Sequence, residues 1–125
     1  MAKILIIDDD VQTTKLLESI VRLHGHETAL VHNSMNAVEV ANSIAPDIIL
    51  LDIMMPGISG IELCKMFHST SELKGIPIII VSALNDIGSK RDAFNAGAKE
   101  FLTKPIYSSD LINKIDALLT EAGEG

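Results

Sequence analysis

The stretch IILLDIMMPG, Ile48 to Gly57, runs four apolar residues straight into an aspartate and then into a Met-Met-Pro-Gly turn. A strand that is apolar on successive residues is buried on both faces, as in a parallel sheet covered by helices on each side. This one ends on Asp52, a charge at the rim of a core. Such a charge is costly unless it is paired or used. Two other segments share the continuous apolar character, KILIID (3–8) and IPIIIVS (76–82), and the first of them also runs into carboxylates.

Working outward, five segments read as strands: 3–8, 27–31 (ETALV), 47–52 (DIILLD), 76–82 and 98–103 (AKEFLT). The stretches between them carry helical spacing. The first, about 11–24, places Leu16, Leu17, Ile20 and Val21 on one face, and the second, about 34–44, uses Ala37, Val38, Ala41 and Ile44. The third, about 59–69, uses Leu63, Met66 and Phe67, and the weaker fourth, about 86–96, carries Ala93, Phe94 and Ala96. The last, about 109–120, has Leu111, Ile115 and Leu118. Gly25, Gly75 and Gly97 fall where helices are expected to stop.

Strict β-α alternation predicts an α/β fold: a doubly wound parallel sheet with helices on both faces. Strands one, three and four are continuous apolar runs and belong in its middle. Strands two and five carry Glu27, Thr28, Lys99 and Glu100 and suit the edges. That assignment gives the order 2-1-3-4-5, whose switch point lies between strands one and three, where ligands of open α/β sheets bind.

Composition narrows the function. A chain of 125 residues with 47% apolar content predicts one folded domain, here 1–120, with 121–125 a flexible tail or the start of a linker. No apolar run approaches the ~18 residues of a membrane span, so no membrane partner is expected. Met1-Ala2-Lys3 leads into a core strand, leaving no room for a signal peptide, and the single Cys64 excludes an internal disulfide. Both suit a cytoplasmic protein. A net charge of −7 argues against nucleic-acid binding through phosphates by this domain, and favours basic or magnesium-bearing partners.

The predicted order brings four strand ends to one rim. Strand one ends in Asp8-Asp9-Asp10, strand three in Asp52, strand four in Ser82, and strand five in Lys104-Pro105. Taken singly, each has a plain reading: Asp10 caps the next helix, Ser82 is a turn residue, and Lys104 is a solvated lysine. Together they concentrate carboxylates in one crevice. Two carboxylates about 5 Å apart repel by roughly 3 kcal/mol at an effective dielectric near 20. Lys104 offsets part of this. A hard divalent cation with oxygen ligands offsets more, and Mg2+ fits a site with few carboxylates and several waters. A carboxylate is also a competent nucleophile toward phosphorus, and phosphoryl transfer depends on positioning and charge neutralisation. The histidines do not join this group: His24 and His26 flank Gly25 at the other end of the sheet, while His32 and His68 stand alone. Cys64, among apolar neighbours on the third helix, reads as core.

In this order and spacing, ILIIDDD, DIILLDIMMPGISG, IIIVSA and AGAKEFLTKPI closely resemble the receiver domain of bacterial two-component response regulators, over about residues 3–119. The resemblance implies a flavodoxin-like (βα)5 fold and a phosphoacceptor role for Asp52, with a histidine kinase or histidine phosphotransfer protein as donor. It implies Mg2+ bound by Asp9, Asp52 and the Met54 carbonyl, with Asp8 acting mainly through a metal-bound water. Lys104 would contact the phosphoryl oxygens beside a cis Lys104–Pro105 bond. Ser82 would move to hydrogen-bond the phosphoryl group, and Phe101 would rotate inward as the switch. Output would leave through helix four, strand five and helix five, to a downstream protein target or a fused effector, with a phosphorylation-dependent dimer as one form. Helix one and the loop after strand five would receive the donor. Met54 and Leu84, two residues beyond Asp52 and Ser82, have no side chain able to orient an attacking water, which implies a long-lived aspartyl phosphate.

Two rival readings use the same residues. A haloacid-dehalogenase-type phosphatase also employs an Asp-x-Asp, as in Asp8-Asp9-Asp10, but Gln12 departs from its pattern and no cap is present. A non-phosphorylated receiver-like interaction module would be expected to lack one of the site residues, and none is missing. No glycine-rich loop follows strand one, which disfavours a nucleotide-binding domain.

Overall fold

The computed structural model describes residues 2–121. Five strands form one parallel sheet: β1 (Lys3–Ile7), β2 (Glu27–Val31), β3 (Ile48–Leu51), β4 (Ile78–Ser82) and β5 (Glu100–Thr103). Their order is β2-β1-β3-β4-β5, the flavodoxin-like arrangement expected from the strand compositions. Every residue of β3 and β4 is buried, whereas all four residues of the edge strand β5 are only half-buried. Five helices connect and follow the strands: α1 (Val11–Leu23), α2 (Ala37–Ile44), α3 (Gly60–Ser69), α4 (Ile87–Asn95) and α5 (Ser108–Glu121).

The sheet separates two cores. Leu5, Ile7, Ile49, Leu51, Ile78 and Ile80 point to one face, under α2, α3 and α4. Ile4, Ile6, Ile48, Leu50, Ile79 and Val81 point to the other, under α1 and α5. Alternate residues of one continuous apolar run thus supply both cores, because successive strand side chains leave opposite faces. Cys64 is fully buried, and burial pushes its thiol up to about 11, so it is packing material and not a nucleophile.

Several expectations need correction. In α1, Leu16 is 55% exposed, and its expected place in the core is taken by Thr14. In α3, Met66 is exposed and Cys64 buried in its stead, because Gly60, Leu63, Cys64 and Phe67 form the inward stripe. In α4 only Ala93 is buried, and Phe94 is exposed. Gly25 and Gly97 do adopt positive φ after α1 and α4, but Gly75 stops nothing. Thr70 ends α3 several residues earlier, with extended ψ and its hydroxyl donated to the Met66 carbonyl at 2.7 Å. The stretch before α2 begins as a separate 3-10 turn, Ser34–Asn36, capped by the Asn33 side chain. β4 starts after Pro77, which has no N–H to offer a ladder. α5 extends to Glu121, and residues 122–125, the remainder of the expected tail, lie outside the described residues.

The contrast between Phe67 and Leu16 gives a direct test. Phe67→Ala empties a fully buried site and should lower unfolding free energy by about 3–5 kcal/mol in urea, whereas Leu16→Ala should stay within about 0.5 kcal/mol of wild type.

Candidate phosphoryl and metal site

The chain turns sharply at the carboxyl end of each central strand, and the side chains met there converge. The backbone N–H of Asp52 donates to Ile7 O at 3.0 Å and that of Asp8 to Val31 O at 3.1 Å, so the ladder itself fixes both aspartates at one level. Asp8 and Asp52 are 2% and 6% exposed, and Asp9 is exposed. One carboxylate oxygen from each of Asp8, Asp9 and Asp52 lies within 4.8 Å of the others.

Lys104 follows β5 and reaches across the rim. Its Nζ lies 2.9 Å from Asp8 Oδ2 and 3.7 Å from Asp52 Oδ2. The Lys104 N–H donates to Ser82 O at 2.8 Å, which ties the end of β5 to that of β4, and the Lys104–Pro105 bond is cis. The other oxygen of Asp8 accepts from the Asp10 N–H at 2.9 Å. Asp10 points away as the N-cap of α1, its carboxylate accepting from Gln12 N–H and the Thr13 hydroxyl. These bonds hold its carboxyl below the usual range.

The electrostatics distinguish the members. Burial raises the Asp52 carboxyl above its ordinary value, and the neighbouring Asp8 charge raises it further. Lys104 and the backbone N–H groups of Met54 and Ile53 pull it only partly back. For Lys104, burial favours the neutral amine, but the Asp8 hydrogen bond and the charges of Asp52, Asp8 and Asp10 outweigh it and leave the ammonium stabilised. Three carboxylates against one ammonium leave two negative charges at the cluster when all are ionised. The donor set is all oxygen, close together and open to solvent at Asp9, which fits a hard divalent cation.

The remaining expected residues are placed as follows. Met54 lies in the loop after β3 with its side chain 59% exposed. Ser82 is fully buried at the end of β4, and its Oγ accepts from the Leu84 N–H at 3.2 Å. No hydrogen bond among the described residues joins that hydroxyl to Asp52. Phe101, on β5, is half-buried with Lys90 Nζ 5.7 Å from its ring centroid.

Three residues at or beside the rim escaped the sequence reading. Gly60 packs so tightly that a Cβ there would overlap the Asp52 carbonyl oxygen; a glycine opening a helix, where it is a poor helix former, was the available signal. Ser34 is buried and hydrogen-bonded to the loop after β3, with no sequence signal beyond a serine among polar neighbours. His32 does not stand alone, because its Nε2 lies 2.8 Å from the Thr14 hydroxyl.

With this geometry in place, comparison with known proteins is specific. The family model for the response regulator receiver domain matches residues 4–116. The chain is 34% identical over 119 residues to the protein PilH of Pseudomonas aeruginosa, covering 95% of this chain and 98% of PilH. It is 30% identical over 117 residues to the DNA-binding response regulator MtrA of Mycobacterium tuberculosis, of which it spans only half. The solved receiver domain of a signal transduction histidine kinase from Syntrophus aciditrophicus superposes with a TM-score of 0.89 at 30% identity, covering 97% of this chain and 92% of that one.

The chain belongs to the response regulator receiver domain family of bacterial two-component systems. Receiver domains are regulatory phosphoacceptors in a phosphorelay, supplied by histidine kinases or phosphotransfer proteins and read by downstream effectors, and they are not enzymes that turn over a pool of substrate. The Asp8–Asp9–Asp52 cluster matches the Mg2+ site of that family. Among the described residues, no helix is long and apolar enough to cross a membrane.

The raised Asp52 carboxyl has a stability consequence. A carboxyl whose folded pKa lies above its unfolded one favours the fold below the unfolded value, and that contribution disappears as pH rises through the folded value. In chelator at pH 7, Asp52→Asn should therefore melt at a higher temperature than wild type. The gap should narrow as the pH falls toward the ordinary carboxyl value of 3.8. A melting series across that range checks the sign.

Proposed function

We propose that Asp52 is the phosphoacceptor of the domain spanning residues 1–120. The observation carrying this is its position: a buried carboxylate on a central strand, beside two further carboxylates and 3.7 Å from the Lys104 ammonium. Its Oδ attacks phosphorus of a phosphohistidine donor. The new O–P bond forms as the P–N bond breaks, and the electron pair leaves on the imidazole. Lys104, now shared between Asp8 and Asp52, pairs with a phosphoryl oxygen of the product.

Asp9, Asp52 and the Met54 carbonyl would hold Mg2+, and Asp8 would support it less directly. When bound, the metal supplies charge neutralisation and orientation for an in-line transfer. Ser82 accepts one hydrogen bond from Leu84 N–H, and its own proton has no acceptor among the hydrogen bonds of the described residues. That proton is available to a phosphoryl oxygen. Phe101 follows into the space Ser82 leaves. It carries no hydroxyl, so burial alone drives its rotation.

Two surfaces complete the reading. Val11 and Leu16 on α1 and Tyr107 after β5 are 45%, 55% and 67% exposed apolar side chains on the elements around the acceptor, and they receive the phosphodonor. Leu16 thus serves contact outside the core. On the far side, α4, β5 and α5 carry the output, with Ile87 at 82% and Phe94 at 46% exposure offering apolar contact. A downstream protein target, a fused effector or a second phosphorylated copy meets that face. The domain itself does not grip nucleic acid, in keeping with its net charge of −7.

Incubation with acetyl phosphate and Mg2+ should add one phosphoryl group by intact mass, and Asp52→Asn should add none. A labelled Asp52→Asn chain would remove Asp52 as the acceptor, and steady release of phosphate from an ester would favour a phosphatase. The label should outlast seconds after donor removal, because neither Met54 nor Leu84 can orient water. Replacing Met54 with a polar residue, Met54→Gln, should shorten it, as followed by loss of mass with time.

A further inference from the structure

Ser34 lies outside the four stretches on which the resemblance rests, yet it is 2% exposed and hydrogen-bonded as both donor and acceptor. Its hydroxyl donates to the Pro56 carbonyl at 3.0 Å and accepts from the Ile58 N–H at 3.0 Å. One side chain from the turn before α2 therefore grips both sides of Gly57 in the loop after β3. Gly57 has a φ of 83°, and a Cβ there would meet Ser34 Oγ at 3.3 Å and the Met35 Cγ and Sδ at 3.7 Å. Only glycine is at ease in this backbone region.

The opposite end of the same loop is anchored independently. Gly60 N–H donates to Ile53 O at 2.8 Å, and Gly60 packs against the Asp52 carbonyl. Between these anchors run Met54 and Met55. Apart from the Asp52 carboxylate beside the Met54 N–H, no other side chain of the described residues hydrogen-bonds to residues 54–58. The course of the Met54 backbone is thus set from the acceptor side by Asp52 and Gly60 and from the outer side by Ser34.

We infer that Ser34 is a positioning residue of the phosphoryl and metal site, holding the 54–58 loop so that the Met54 backbone faces the cation bound at Asp9 and Asp52. This rests on the reading of Met54 and the carboxylates as the Mg2+ site. Removing the hydroxyl leaves the Pro56 carbonyl and the Ile58 N–H without their partner. Pro56 is exposed and Ile58 half-buried, so water can take the place of the hydroxyl, but water does not tie the loop to the turn before α2, and the loop loses its outer anchor. Groups that orient a metal ligand from behind change affinity by roughly 10–100-fold, and a backbone ligand held by two hydrogen bonds belongs at the lower end.

The test is Mg2+ titration by calorimetry of the whole chain, with urea unfolding of each variant. Ser34→Ala should weaken Mg2+ binding about tenfold, and Ser34→Cys, a weaker hydrogen-bonding group of similar size, should fall between it and wild type. Ile115→Val, in the core on the far side of the sheet, controls for lost stability and should leave affinity unchanged. If Ser34→Ala does not fold, the Ser34→Cys shift carries the result. Affinity within about twofold of wild type in both Ser34 variants, or an equal loss in Ile115→Val, overturns the role of Ser34 alone. A wild-type chain that binds no Mg2+ overturns the metal-site reading, and this inference with it.

Discussion

The constraint on which the rest of the site depends is the crowding of carboxylates at the end of the two central strands. Asp8 and Asp52 are buried, Asp9 is beside them, and Lys104 is the only cation that the described residues bring within 4.0 Å of Asp8 or Asp52. At about 5 Å each carboxylate pair repels by roughly 3 kcal/mol even in a fairly polar environment. The fold tolerates this because backbone hydrogen bonds place Asp8 and Asp52 before their side chains can choose. Burial raises the Asp52 carboxyl first and the Asp8 charge adds to it, while Lys104 offsets only part of the rise. A site left with surplus negative charge attracts a divalent cation, and once neutralised it accepts a phosphoryl group without rebuilding the fold.

The division of labour between Asp8 and Asp52 follows from their hydrogen bonds. Asp8 is occupied on both oxygens, by Asp10 N–H and by Lys104 Nζ. Asp52 has only the more distant approach of Lys104 at 3.7 Å, with the Met54 and Ile53 N–H groups nearby. A carboxylate committed to two donors is a poor nucleophile, because attack must first break those bonds. The less satisfied carboxylate, Asp52, fits the proposed acceptor role better than Asp8. The ion pair of Lys104 with Asp8 therefore organises the site in two ways: it holds the lysine at the rim, and it leaves Asp52 available.

Much of this was legible in the sequence because the determining signals are local and strong. The continuous apolar runs IILL and IIIV distinguish central from edge strands, and sheet order then places Asp8, Asp52, Ser82 and Lys104 together without any side-chain geometry. Helix faces were less legible. Leu16, Met66 and Phe94 each fit an apolar stripe by spacing alone, but a helix packed on a sheet buries a narrow stripe, and Thr14, Cys64 and Ala93 fill it. Gly60 and Ser34 were invisible for a different reason. Gly60 meets Asp52 and Ser34 meets the backbone of Pro56 and Ile58, contacts made by the folded chain, and neither glycine nor serine carries a pattern announcing a partner.

The helices are unevenly attached, which suits the proposed relay from Asp52 to a distant face. α5 buries Leu111, Ile112, Ile115, Leu118 and Leu119, and α3 buries Leu63, Cys64 and Phe67. Moving either would expose large side chains worth about 1.5–3 kcal/mol each. α4 buries only Ala93 within the helix and has a glycine, Gly88, in its first turn. It is held mainly at its ends, by the Asp86 cap on Ser89 and by the Ala98 N–H on the Ala93 carbonyl. Lys90 extends from this helix over the Phe101 ring, a contact worth only about 0.5–1 kcal/mol at an exposed site. The bond from Leu84 N–H to Ser82 Oγ links the same segment to the phosphoryl site. On the proposed function, a displacement of Ser82 would pass to the element that resists least, and the apolar surface of Ile87 and Phe94 would move with it.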